Sequence, residues 1–372
     1  MHVLVLATDA LGGFGGIAKY NRDLLSALGS HPSVNRVTAI PRAIPEKVET
    51  MPPKLTYLTE GASGKFEYVR AAWRAVRSEP EVDLILCGHV NLVPLASALR
   101  GACGARVGLI IHGIEAWKRP TSVLINSTIR DLDAYISVSR VTRDRFCAWS
   151  GVEPGRVFLL PNCVDVSRFG PGPRPATLQK HYGLVGKRAI LTLARLDARE
   201  RYKGLDEIME VMPDLTRRCP SLVYVIAGDG TDKVRLVEKS LRLGLEGRVI
   251  FTGKISEDTK APLLRLADAM VMPGRGEGFG IVYLEAMACG IPVVASTLDG
   301  SREAVRDGTL GIMVNPDNRK ELVDGILSAL ERPRGVVPRG LDYFSVENYR
   351  LRCHALIDQF LPEPAPPILK AA

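Results

Sequence analysis

The chain has 372 residues, of which 46% are hydrophobic and 24% charged, an ordinary globular balance that excludes a disordered or low-complexity polypeptide. Its length suits two domains of about 150–200 residues better than one. The formal charge of +8 divides evenly, +4 in residues 1–165 and +4 in the remainder, so no basic arm of the nucleic-acid-binding kind is present. Seven cysteines, an odd number without a Cys-x-x-Cys pair, exclude a disulfide framework and the usual zinc spacings and predict reduced thiols. No apolar run approaches the roughly 18 residues that span a bilayer. The start, MHVLVLATDALGG, reads as a first strand and not as a signal peptide, so a cytoplasmic protein is expected.

Short apolar runs alternate with longer amphipathic segments along the whole chain. In the first half, residues 3–7, 37–40, 84–87, 107–111, 134–138 and 157–160 read as strands buried on both faces of a parallel sheet. Helical periodicity falls at 17–28, 66–77 and 139–149. The second half repeats the alternation, with strands predicted at 189–194, 222–227, 249–252, 269–272 and 292–295 and helices at 205–218, 232–243, 283–288 and 319–330. Residues 167–175 hold three prolines and two glycines and have few groups to bury, which marks a domain boundary. The expected fold is α/β: two doubly wound domains facing each other across a cleft, residues 1–166 and 167–344. The proline-rich end, residues 361–372, is expected to be loosely held.

The segment from Pro273 to Ser296 carries the most chemistry. A strand ends at Met272, four glycines fall among residues 274–280, and a helix is expected from about Phe279 to Ala288, closed by Gly290. Glycines before a helix start let backbone N–H groups approach an anion, and the helix terminus adds a favourable partial charge. Glu277 and Glu285 stand eight residues apart, a little over two helical turns, so both carboxylates are expected to face one side of the cleft. Two solvated glutamates on a plain strand–turn–helix are the competing reading.

Glu277-x7-Glu285, with Gly278-Phe279-Gly280 between and Gly290-Ile291-Pro292-Val293-Val294-Ala295 after, resembles the signature of the retaining GT-B glycosyltransferases of family 4. Gly12-Gly13 resembles that family's amino-terminal glycine loop, and Pro161-Asn162-x-Val164-Asp165-x3-Phe169 its interdomain segment. Arg195, Lys203-Gly204, Gly228-Asp229-Gly230, Phe251-Thr252-Gly253 and Glu303-x-Val305-x2-Gly308 follow in the family's order. Gly274 stands where the family usually has Ser or Thr, and Cys163 replaces a common Gly; the first substitution is expected to loosen its loop. The resemblance implies transfer of a sugar from a UDP- or GDP-sugar to a saccharide or lipid-linked acceptor, without a bound metal. It implies that His112, Glu277, Arg195 and Lys203 act on the sugar and its leaving diphosphate. It further implies that Gly15, Gly16, Gly278, Phe279, Gly280, Ile281 and Glu285 hold the donor, Glu285 at the ribose. A last helix, somewhere in residues 345–372, is expected to cross back to the first domain. A nucleotide-sugar epimerase or phosphorylase of the same architecture, or a silent nucleotide-sugar-binding subunit, are the alternatives.

Read as residues alone, Arg195 and Lys203 form a diphosphate clamp or two surface cations, with Asp197, Arg199, Glu200 and Arg201 competing for the role. His112 follows a strand at the edge where open α/β sheets bind ligands; a satisfied structural histidine is the competing reading, and Glu115 is a weaker candidate. Gly13-Phe14-Gly15-Gly16-Ile17-Ala18 matches a dinucleotide fingerprint, but lies five residues beyond its strand and lacks the acidic ribose partner. Asp131-Leu132-Asp133 has the spacing of a metal-binding pair and reads better as a solvated helix end. On the predicted helix 66–77, Phe66, Val69, Trp73 and Val76 share a face beside Arg70, Arg74 and Arg77. That basic stripe suits either an anionic membrane at its inner face or plain solvation.

Overall fold

The computed structural model describes residues 1–48, 50–78 and 82–361. Two all-parallel sheets organise it. The first has strands β1 (His2–Ala7), β2 (Arg36–Pro41), β3 (Leu55–Tyr57), β4 (Leu84–Cys87), β5 (Arg106–Ile111), β6 (Ala134–Ser137) and β7 (Val157–Leu159), in the order β3-β2-β1-β4-β5-β6-β7. The second has β8 (Arg188–Leu193), β9 (Leu222–Ala227), β10 (Val249–Gly253), β11 (Ala269–Val271), β12 (Val293–Ser296) and β13 (Ile312–Val314), in the order β10-β9-β8-β11-β12-β13. The inner strands are mainly apolar because helices cover both faces, and all six residues of β1 are buried.

Strand order reverses between β1 and β4 in the first sheet and between β8 and β11 in the second. At such a point the loops leaving two adjacent strands turn to opposite faces and open a crevice at the carboxyl edge. The loop after β8 carries Arg195 and Lys203, and the loop after β11 carries Glu277. Topology alone therefore brings together motifs about 80 residues apart in sequence.

Strands β3 and β13, three residues each, lie at sheet edges and are too short to show a period of two. The helix Glu257–Leu264 contains Pro262, which hides it in sequence. The helix Lys65–Ser78 does not present its apolar residues as expected. Val76 is buried with Tyr68, Ala71, Ala72 and Ala75, whereas Phe66 is 92% exposed and Val69 41%. Small residues on the buried side let this helix sit close to the sheet, which leaves its larger apolar residues outside among the arginines.

Residues 167–175 are not bare either, because Phe169 is buried within an apolar cluster that continues from Cys163 and Val164 into the second domain. The helix Val346–Asp358 packs on the helix Gly15–Ser30 of the first domain, with Tyr349 edge-on to Tyr20 at 6.0 Å and Ser30 hydrogen-bonded to His354 at 2.9 Å. Just before it, the Phe344 carbonyl accepts the Val164 N–H at 2.9 Å. Residues 362–372, expected to be loosely held, lie outside the described residues.

Candidate active site

The loop 273–280 passes between the two domains with no room for a side chain at Gly276 or Gly278. A Cβ on Gly278 would lie 1.8 Å from the His112 carbonyl oxygen, and one on Gly300 would lie 2.0 Å from the Gly278 carbonyl oxygen. Ser139 Oγ of the first domain donates to that same Gly278 oxygen at 2.6 Å. Gly278 thus sets the distance between the domains at the cleft floor, and Gly300 lets the same loop lie against its own domain. The helix begins at Ile281, so residues 277–280 are loop and the expectation drawn from helical spacing does not apply. Phe279 packs edge-on against Phe344 at 5.5 Å, and Ile281 is buried beside it on the helix start.

Glu277 and Glu285 consequently meet different cations. Glu277 Oε1 lies 3.8 Å from Lys203 Nζ. Burial pushes its carboxyl above the usual range, with Lys203 opposing that shift. Its N–H donates to Asp299 Oδ2 at 2.9 Å. Asp299, fully buried, also accepts from the Ser301 N–H and hydroxyl at 3.0 and 2.6 Å. Glu285 is only 1% exposed and its oxygens lie 2.8 and 2.7 Å from Lys260 Nζ. Asp299 and Lys260 carry no motif in sequence, and only the fold shows their place.

The charged run after β8 sorts itself out in space. Arg199 turns to Asp197 and Arg201 to Asp232 at 3.2 Å, while Arg195 and Lys203 both contact Glu200. The Tyr202 ring lies against Gly276, where a Cβ would come within 2.3 Å of it, and the Tyr202 carbonyl accepts the Arg275 N–H at 2.8 Å. At Gly274 a Cβ would stand 2.9 Å from the Tyr202 carbonyl oxygen, so the loop expected to be loosened by this glycine is packed tightly instead.

From the first domain, the helix Gly15–Ser30 enters with no side-chain cap, and a Cβ at Gly15 or Gly16 would meet nothing within 4 Å. Its first N–H groups are thus left without a side-chain cap, as an anion site needs. The charge of Arg195 acts on Asp9, in the loop just before this helix. His112 follows β5, edge-on to Tyr20 at 4.9 Å. Burial pushes its pKa down to about 4, with the Gly88 backbone opposing, so the ring is neutral; its Nε2 is buried without a hydrogen-bond partner among the described residues. Glu115 is a clamp on the loop, accepting the N–H groups of His112 and Gly113 at 2.6 and 3.0 Å. The Cys163 thiol donates to Asp23 at 3.4 Å, and Asp23 pairs with Lys19 at 2.6 Å.

Asp133 accepts the Val107 N–H at 2.7 Å and pairs with Arg100 at 3.2 Å, so it braces a strand. Among the described residues no group of three or more His, Cys, Asp or Glu is arranged to hold a metal ion. On the side of the cleft formed by the helix Arg140–Ser150, Glu303 of the second domain accepts the N–H groups of Arg140 and Val141 at 2.8 and 2.9 Å. This contact adds to the cap that Ser139 itself supplies by accepting the Thr142 N–H at 3.1 Å, and it puts a carboxylate of the second domain at that helix start.

Two Rossmann-like parallel sheets with switch points opening on a shared cleft form the GT-B architecture. The sucrose-phosphate synthase of Thermosynechococcus elongatus superposes with a TM-score of 0.77 at 21% identity, over 96% of this chain and 99% of that one. Anabaena Alr3699/HepE, crystallised with UDP, superposes with a TM-score of 0.74 at 20% identity, over 96% and 100%. The profile "Glycosyl transferases group 1" matches residues 177–338, and "Glycosyltransferase Family 4" matches residues 14–168. A Mycolicibacterium smegmatis GDP-mannose-dependent alpha-(1-6)-phosphatidylinositol monomannoside mannosyltransferase is 31% identical over 76% of this chain and 77% of its own length. The chain belongs to the family 4 GT-B glycosyltransferases.

Proposed function

We propose that the protein transfers a sugar from a nucleoside-diphosphate donor, with retention of anomeric configuration, to a lipid-linked acceptor held by the first domain. The observation that carries this is the convergence of Arg195 and Lys203, at the second sheet's switch point, on a cleft that also receives the uncapped helix start at Gly15 and Gly16. As the bond from the anomeric carbon to the diphosphate breaks, negative charge grows on the leaving oxygens, and these cations and N–H groups stabilise it. The acceptor oxygen bonds to the same carbon and passes its proton to the departing phosphate. Glu277 and the amides of Phe279 and Gly280 hold the sugar, Ile281 backs them, Glu285 binds the ribose, and the unpartnered Nε2 of His112 is offered to the sugar. The positive charge comes from side chains, so EDTA is expected to leave activity intact.

The M. smegmatis relative is named for GDP-mannose and a phosphatidylinositol mannoside, which supports a GDP-sugar as donor and a glycolipid as acceptor. The exposed Phe66 and Val69, beside a groove lined by Arg70, Trp73, Arg74 and Arg77, support docking on an anionic membrane. Radiolabelled GDP-mannose and UDP-glucose, incubated with a phosphatidylinositol-based acceptor, test the reading. The expected result is labelled glycolipid whose anomeric configuration, read by NMR, matches that of the donor. Epimerised free donor, or turnover that requires inorganic phosphate, would overturn it.

A further inference from the structure

The two cations of the diphosphate site already hold an anion of the protein's own. Glu200 stands five residues after Arg195 and three before Lys203. One of its carboxylate oxygens contacts Arg195, and the other lies 2.9 Å from Lys203 Nζ. Its side chain is 11% exposed, while that of Arg195 is 67% exposed at the rim. Burial works to raise the Glu200 carboxyl, but contacts with Arg195 and Lys203 outweigh it and hold the group below the usual range. The carboxylate is therefore ionised at neutral pH. Glu277 approaches the same Lys203, and Asp299 and Glu200 both act on Glu277 as like charges. Two acids thus share one ammonium, with Asp299 behind Glu277.

A diphosphate seated on Arg195 and Lys203 brings further negative charge to that place. Like charges at contact distance in a half-buried site repel strongly, so a diphosphate and Glu200 compete for the same donors. We propose that Glu200 is a resident counter-anion: it keeps Arg195 and Lys203 together in the empty cleft, yields them to the diphosphate, and takes them back as the nucleoside diphosphate leaves. This rests on the reading that Arg195 and Lys203 bind the diphosphate. The exchange opposes the tightly bound product more than the transition state, where charge on the leaving group is still growing. Glu200 is a positioning residue in this scheme, acting through the two cations.

Calorimetry with GDP and UDP as probes, on the wild type, Glu200→Gln and Glu200→Asp, tests it. Glutamine keeps the shape and removes the charge, so the diphosphate is expected to bind about tenfold more tightly. Its product-inhibition constant should fall in the same ratio, and kcat should fall with KM as release slows. Aspartate retains the charge and should return affinity toward the wild type. Unchanged or weaker binding in a folded Glu200→Gln, checked by circular dichroism, would overturn the proposal and leave Glu200 as a loop brace. Arg195→Ala and Lys203→Ala separate this from the underlying reading. If neither weakens GDP or UDP binding, the diphosphate site itself is misplaced; if both do and Glu200→Gln does not tighten it, only the counter-anion fails.

Discussion

Lys203 sits where two carboxylates, Glu200 and Glu277, and the expected leaving group meet, and its contribution should appear in turnover. If its interaction strengthens as the glycosidic bond breaks, Lys203→Ala lowers kcat about a hundredfold while changing the donor KM less. Arg195→Ala should behave alike, and the double variant should fall short of the product of both effects because one leaving group is shared. Steady-state kinetics decide this; a rise in KM alone would confine Lys203 to the ground state. His112 supplies a prediction of a different kind. Its pKa in the fold, about 4, lies below the ordinary value of 6.5. The stability it contributes is complete above about pH 6.5 and is lost as the pH falls toward 4, amounting to about 3 kcal/mol. Thermal melts at pH 7.5 and 4.5 should show a larger loss for the wild type than for His112→Gln. Equal losses would mean that the ring is not held neutral.

At the scale of elements, the loop 273–280 is decided by close approach. An alanine at 278 would drive its Cβ into the His112 carbonyl, where no flexible side chain is available to yield. Gly278→Ala should therefore push the two domains apart locally, reduce transfer at least tenfold, and lower Tm by several degrees. Activity and melting of this variant, beside the exposed control Gly155→Ala, check it. The control has no neighbour within 4 Å of its added Cβ and should change neither. Wild-type behaviour of Gly278→Ala would show that the domains do not meet as described. The long buried strands and the helices Leu205–Arg218 and Arg319–Glu331 were legible because their apolar periods are strong. The short edge strands and the eight-residue helix Glu257–Leu264 were not, because tertiary packing and not local preference holds them; Leu205–Arg218 also contains a proline, Pro213, but its longer apolar period shows through.

At the scale of the molecule, Glu303 fastens one domain to the other through the helix Arg140–Ser150, with Arg140 also paired to Asp307 at 2.5 Å. Glu303→Ala removes the acceptor for two N–H groups at that helix start while leaving each sheet intact. The cleft should open, seen as an increased radius of gyration in X-ray scattering without donor. Stability should fall by about 1–2 kcal/mol, the ordinary worth of the lost hydrogen bonds, because Ser139 still caps the helix. An unchanged radius would show that the apolar cluster through Phe169 and the helix Val346–Asp358 alone sets the closure.

Composition and the alternation of strands and helices determined the fold class, because buried strands and glycine-rich turns write themselves into local sequence, and the resemblance of the motifs around Glu277, Glu285, Arg195 and Lys203 to family 4 supplied the candidate residues. The tertiary structure alone decided which charges meet. Glu200 is one of several acids in a charged run, and only in space do Arg199 and Arg201 turn elsewhere and leave it to Arg195 and Lys203. Lys260 reaches Glu285 across 25 residues of sequence, and Glu303 reaches Arg140 across 163. Ion pairs and close backbone approaches depend on distance in space, and no local period records it.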